Sequence, residues 1–192
     1  MTSNDQSDLL SSFSELDLVK HLLADLHDDL PGKIARSRQL VDLSESLGTF
    51  GTMMFGGETS YCAWREARRS FIHGNFMATI LLCQALAEHT LAAFLHAAAL
   101  SNDLPQRISF SDTLKCCRDE NVVSAQDAED LRRLMNLRNP LSHFRNLSDP
   151  GNLSRRALSM NTNADDALKQ DACFAMGLAT RILALPHFRI GQ

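Results

Sequence analysis

The chain has little that would hold a sheet or a disulfide framework together. Aromatic residues make up 6% of its 192 positions, with a single Trp (Trp64) and a single Tyr (Tyr61). Its apolar positions are mostly Leu and Ala, which suit helices better than strands. The five cysteines, Cys62, Cys83, Cys116, Cys117 and Cys173, are odd in number and include no CxxC pair. That excludes a regular disulfide scaffold or zinc ribbon and reads as a reducing compartment. The N-terminus "MTSNDQSDLL" has no basic stretch followed by an apolar one, and no run reads as a membrane span. A cytoplasmic protein, with no membrane partner, is the expectation.

What is present fits one substantial core, since the chain is 44% hydrophobic. The net charge of -4 argues against a chain coated in nucleic acid, but the charge is unevenly placed. Residues 1–30 hold seven acids against Lys20, a local balance of -6. Between Arg132 and Arg156 lie six arginines and one acid, Asp149. A phosphate-bearing partner could use that basic segment; a solvated helix face is the plainer alternative.

Apolar periodicity predicts a first amphipathic helix from Leu9 to Leu30, stopped by Pro31 and Gly32, and a second from Lys33 to Leu47. "GTFGTMMFGGE" then reads as a loop, dividing an acidic helical hairpin and Gly-rich loop (1–57) from a main helical bundle (58–192). Further helices are expected over 60–72, 75–100 and 111–119. Another begins at the capping pair Ser124 and Asp127, and a last long one spans 164–184. The fold class is all-α, an up-and-down bundle of four to five main helices.

The helix opened by Ser124 runs into "RNPLSH", Arg138 to His143. Pro140 cannot donate to the carbonyl of residue 136 and disfavours helical geometry at Asn139, while Asn139 and Pro140 suit an N-cap and a first helical residue. One helix is thus expected to end near Arg138 and another turn to begin at Asn139. The break would let Arg138 and His143 converge, although an unbroken helix separates them by about 140°. It would also offer free amides to a phosphate oxygen. Arg138 falls close to the inward stripe of Ala128, Leu131 and Met135, where it would need an anionic partner. Glu88 is the candidate if the line Met77, Leu81, Gln84, Glu88 faces inward; the line Phe76, Ile80, Cys83, Ala87 is equally apolar and would leave Glu88 in solvent. "WREARR", Trp64 to Arg69, could stack on RNA, but more often such a run is a core Trp on an amphipathic helix.

Arg138, Asn139 and His143 resemble the R-N-x-x-x-H motif of HEPN domains, an all-helical superfamily that includes many metal-independent ribonucleases. The likeness extends over roughly 61–184, with "EARRSFIHGNFMATILLCQALAEHTL" similar to the family's paired helices. The resemblance implies an endoribonuclease without cofactor or metal, working as a homodimer whose two motifs share one cleft. RNA would be cut by attack of the ribose 2'-hydroxyl on the adjacent phosphorus. His143 would be general acid or base, Arg138 would stabilise phosphoryl charge, Asn139 would position it, and Glu88 would support Arg138. Arg132, Arg133 and Arg145 would contact RNA. A toxin or phage-defence setting, with an antitoxin or regulatory protein as partner, is the implied biology; a non-catalytic interaction or nucleotide-binding module is the alternative. In family members silenced by modification the motif continues H-x-Y, whereas this chain has Arg145 at the tyrosine position.

Overall fold

A computed structural model describes residues 14–100, 105 and 107–191. Among these it is all-helical, with α1 Glu15–His27, α2 Leu30–Glu45, α3 Gly57–His73, α4 Phe76–Ala97, α5 Phe110–Asp119, α6 Ala125–Ser142, α7 Leu153–Ser159 and α8 Ala164–Leu183. One short 3-10 turn, Pro186–Phe188, follows. The expected Leu9 and Leu10 lie outside the described residues.

Four of the helix starts, those of α1, α5, α6 and α8, share one chemistry. Ser14, Ser109, Ser124 and Asn163 each accept a hydrogen bond from the amide of an Asp three residues on, at Asp17, Asp112, Asp127 and Asp166. The three serines return a hydroxyl bond to the same aspartate. The cap thus satisfies an orphan amide and places a negative charge at the positive end of the helix.

α4 is the centre of the molecule, packed against α3, α5, α6 and α8. Among the described residues it is the one helix long and apolar enough to cross a membrane by length and composition, contrary to the expectation that no run would qualify. Its place explains the composition: a helix surrounded by four others is apolar nearly all round, and Ile80, Leu86, Leu91 and Leu95 are fully buried. Phe71 of α3, Leu114 of α5, Leu131 and Leu134 of α6, and Met176, Leu178 and Ile182 of α8 complete the core. The tail closes over it. Phe188 is buried edge-on to Phe94, 5.1 Å between centroids, and Met53 donates its amide to the Phe188 carbonyl at 2.6 Å.

The beginning of the chain differs from expectation. Pro31 and Gly32 do not end a helix; they lie in the first turn of α2, where a missing amide hydrogen costs nothing. Asp29, in the left-handed conformation, folds its carboxylate over Gly32 so closely that a β-carbon there would lie 2.3 Å from it. Arg36 holds that carboxylate at 2.9 Å, keeping it below the usual range for an aspartate, and also donates to the Ile72 carbonyl. α2 packs on α3 and α8 and places Leu40 in the common core, whereas α1 buries no residue. The two helices therefore do not form a mutually packed hairpin.

Candidate functional site

The expected break in α6 is absent. The helix runs through Pro140 to Ser142, and the His143 amide donates to the Asn139 carbonyl at 3.1 Å. A proline in the last turn removes one main-chain bond, from residue 140 to the Asn136 carbonyl, and Asn136 is exposed, so water can satisfy that oxygen. Asn139 is consequently not an N-cap, and the motif offers no free amides. It occupies a helix C-terminus, where outward carbonyls and the negative end of the dipole favour cations.

The register of α6 also differs. Ala128, Leu131, Leu134 and Leu137 form the buried stripe, with Met135 only partly covered. Arg138 falls within the arc of that stripe, about 20° from Leu131, but in the last turns of the helix, where it keeps partial exposure to water. Its Nη1 donates to Asn139 Oδ1 at 3.5 Å, the long end of a hydrogen bond, and among the described residues no carboxylate pairs with it. Glu88 is half-buried and makes no ion pair with it, so the expected support from α4 is not formed. Both candidate lines of α4 are buried in part: Ile80, Cys83, Ala87 and Phe94 of one, and Gln84, Leu91 and Leu95 of the other, with Gln84 Oε1 buried without a hydrogen-bond partner among the described residues.

His143 caps α6 with extended backbone, φ -132° and ψ 136°, where the chain leaves the helix. The imidazole is exposed and makes no hydrogen bond among the described residues. Phe144 follows at 93% exposure, the most exposed large apolar side chain described, then Arg145, exposed and 3.6 Å from Asp149. The loop beyond is ordered by its own turns: Asp149 Oδ1 accepts from the Gly151 amide at 2.8 Å, and Asn152 Nδ2 donates to the Arg145 carbonyl at 3.1 Å. Asn152 then caps α7, which the apolar pattern did not predict. α7 is tied down by Arg156, whose Nη2 reaches both oxygens of buried Asp171 at 3.0 and 2.8 Å.

The basic segment is accordingly less free than its composition suggests. Arg132 pairs with Glu129 at 3.1 Å, Arg145 with Asp149, and Arg156 with Asp171. Arg133 lies over the Phe174 ring of α8, 4.2 Å from its centroid. The first two pairs are exposed, where an ion pair is worth about 0–1 kcal/mol, so a phosphate can compete for either arginine. Arg155 is exposed. The structure thus brings Arg138 to Asn139 and sets His143, Phe144 and Arg145 on one exposed loop, but joins neither Glu88 nor Arg132 to them. Phe144 escapes periodicity arguments because one aromatic in a loop has no pattern.

A second aromatic and basic surface lies on the outer side of α3. Arg65 sits 5.8 Å from the Tyr61 centroid and Arg68 5.5 Å from that of Trp64, beside a shallow concavity. Trp64 is partly buried against the core, as an amphipathic helix would place it, with Arg68 on its open side. Among the described residues no three His, Cys, Asp or Glu side chains are grouped as a metal would require. No known family, characterised protein or solved structure matches this chain.

Proposed function

We propose that the protein is a HEPN-type, metal-independent endoribonuclease, a bundle of that family's kind acting as a cytoplasmic homodimer. The observation that carries the reading is the end of α6. Arg138 without a carboxylate, Asn139 in contact with it, and an unpaired, exposed His143 fall within six residues, followed by the bare ring of Phe144. Histidine is the side chain that gains and loses a proton near neutrality. In this mechanism His143 takes the proton of a ribose 2'-hydroxyl as that oxygen attacks the adjacent phosphorus. The bond from phosphorus to the 5'-oxygen breaks, and the leaving oxygen is protonated by the histidine of a second copy. The products are a 2',3'-cyclic phosphate and a 5'-hydroxyl. Arg138 meets the charge that accumulates on the phosphoryl oxygens, Asn139 limits where its guanidinium can point, and Phe144 stacks on a base beside the scissile bond. Arg132, Arg133 and Arg145 hold flanking phosphates by exchanging their weak partners for stronger ones. Toxicity held in check by a regulatory protein is the biological setting that accompanies this reading.

The second reading, a non-catalytic interaction module, draws on the unbroken helix, which supplies no N-terminal amides for a phosphate at the motif. Cleavage of total RNA and tRNA in EDTA separates the two. The ribonuclease reading expects cyclic-phosphate ends from the wild type and at least a 100-fold loss in folded His143→Ala and Arg138→Ala. Equal behaviour of all three proteins refutes it.

A further inference from the structure

We propose that α1 is a dimerisation helix, pairing side by side and parallel with α1 of a second copy. This rests on the N-terminal helix and is independent of the motif at the end of α6. Leu16, Val19, Leu22, Leu23 and Leu26 are 49–70% exposed, although they occupy a sector of about 120° on one helix. No residue of α1 is buried. Left bare, that face amounts to on the order of 500 Å² of apolar surface per chain, the upper range for a monomer's largest patch and over half of what one side of a stable interface buries.

The helix is nonetheless fixed in place. Lys33 of α2, itself 9% exposed, sends its ammonium to the carbonyls of Asp25, Leu26 and Asp28, satisfying the end of α1 with a buried charge. A clamp of that cost holds the direction of a helix that contributes nothing to its own core.

The spacing selects the occupant. Leu16 and Leu23 fall at heptad position a, Val19 and Leu26 at d, the seam of a two-stranded coil, and Leu9 continues the a register upstream in the sequence. The flanks then decide orientation. Glu15 is at g and Lys20 at e, and in a parallel pair g of one chain meets e of the next heptad of the other, an attraction formed twice. An antiparallel pair would oppose g to g and e to e, losing both. Among the described residues of the single chain Lys20 pairs with Asp17, an exposed contact at 3.2 Å, and can turn to the other copy. Two heptads make a short seam, so association is expected to be weak and concentration-dependent.

The test is sedimentation of the full chain from about 1 to 200 μM, with circular dichroism to verify folding. The expected species is twice 21.3 kDa at the upper end. Leu16→Glu with Leu23→Glu should weaken association at least 50-fold without changing the bundle, because neither side chain touches the core. Glu15→Lys and Lys20→Glu should each weaken self-association, and mixing the two should restore it by pairing unlike charges. A wild type that stays monomeric at 200 μM overturns the proposal, whether residues 1–13 or a foreign partner cover the face. A dimer unaffected by the leucine changes overturns it too, by locating the contact elsewhere, and failure of the mixture to recover overturns the parallel register.

Discussion

The ion pair of Arg156 and Asp171 should be one of the most sensitive points in the molecule. Asp171→Ala removes the acceptor of two hydrogen bonds, at 3.0 and 2.8 Å, and leaves a guanidinium whose side chain keeps 19% exposure. Breaking a buried pair costs about 3–5 kcal/mol; because Arg156 retains some water, about 2–3 kcal/mol is expected. Arg156→Ala abandons a carboxylate that is only 6% exposed, so the full 3–5 kcal/mol applies there. The double variant has no stranded charge and should cost only about 1–2 kcal/mol, less than either single change, a coupling of about 5 kcal/mol. Urea unfolding followed by the lone Trp64 and by circular dichroism measures all four corners. Thermal midpoints should fall by about 2–4 °C per kcal/mol for a chain of this length. Single changes that each cost under about 1 kcal/mol, or a double variant whose loss is their sum, would refute the reasoning. The pair also anchors α7, where the loop bearing His143 ends, so RNA cleavage should decline in Asp171→Ala even under conditions where it remains folded.

Pro140→Ala should stabilise the chain by about 1 kcal/mol, since the bond to the Asn136 carbonyl outweighs the entropy that proline removes from the unfolded state; a fall in the urea midpoint would contradict this. Phe144→Ala should shift stability by less than about 0.5 kcal/mol, yet weaken binding of single-stranded RNA roughly 5- to 100-fold in a His143→Ala background, as loss of one stacked base predicts. Unchanged affinity by filter binding would remove Phe144 from the site. Burial pushes the Cys83 thiol well up and that of Cys117, with its neighbour Cys116 contributing, up to about 12. At pH 8 the Cys117 thiolate is then about one part in ten thousand, so Ellman's reagent should find three reactive thiols, Cys62, Cys116 and Cys173, and five only after unfolding. A fourth thiol reacting in the folded protein would show that the core opens there.

Helices with a long apolar period and a polar cap were readable from the letters. α4 and α8 fall within a few residues of expectation, and the Ser124 and Asp127 cap is formed as its spacing implies. The same three-residue cap also opens α1, α5 and α8 and would have set their starts directly. α7 was not readable, because seven residues carry no period and its stability comes from Arg156 finding Asp171 fifteen residues away. Proline misled twice for one reason. The local rule states what the ring forbids, one donor, and not whether that donor was needed; at Pro31 it was not, and at Pro140 water can replace it. Arg138 and Glu88 were set together by counting angles on two helices, but Arg138 sits in the last turns of α6, partly exposed and leaning on Asn139, and Glu88 does not pair with it.

That placement has a consequence for any phosphate bound at the motif. At a helix N-terminus the backbone supplies the donors, whereas at the C-terminal end of α6 carbonyls face outward and repel an anion. All of the attraction must then come from side chains, and one chain offers Arg138, with Arg145 shared with Asp149 and Arg132 shared with Glu129. A phosphorane with two charged oxygens and two proton transfers asks for more than one arginine and one histidine. The catalytic proposal therefore requires a second copy, whichever surface joins the two chains. Cleavage per chain should rise with protein concentration through the micromolar range and level off where sedimentation shows the dimer complete. Activity that is proportional to concentration throughout would mean that a single α6 end suffices, against the charge argument, or that the pair is already complete at the lowest concentration, which the same sedimentation data decide.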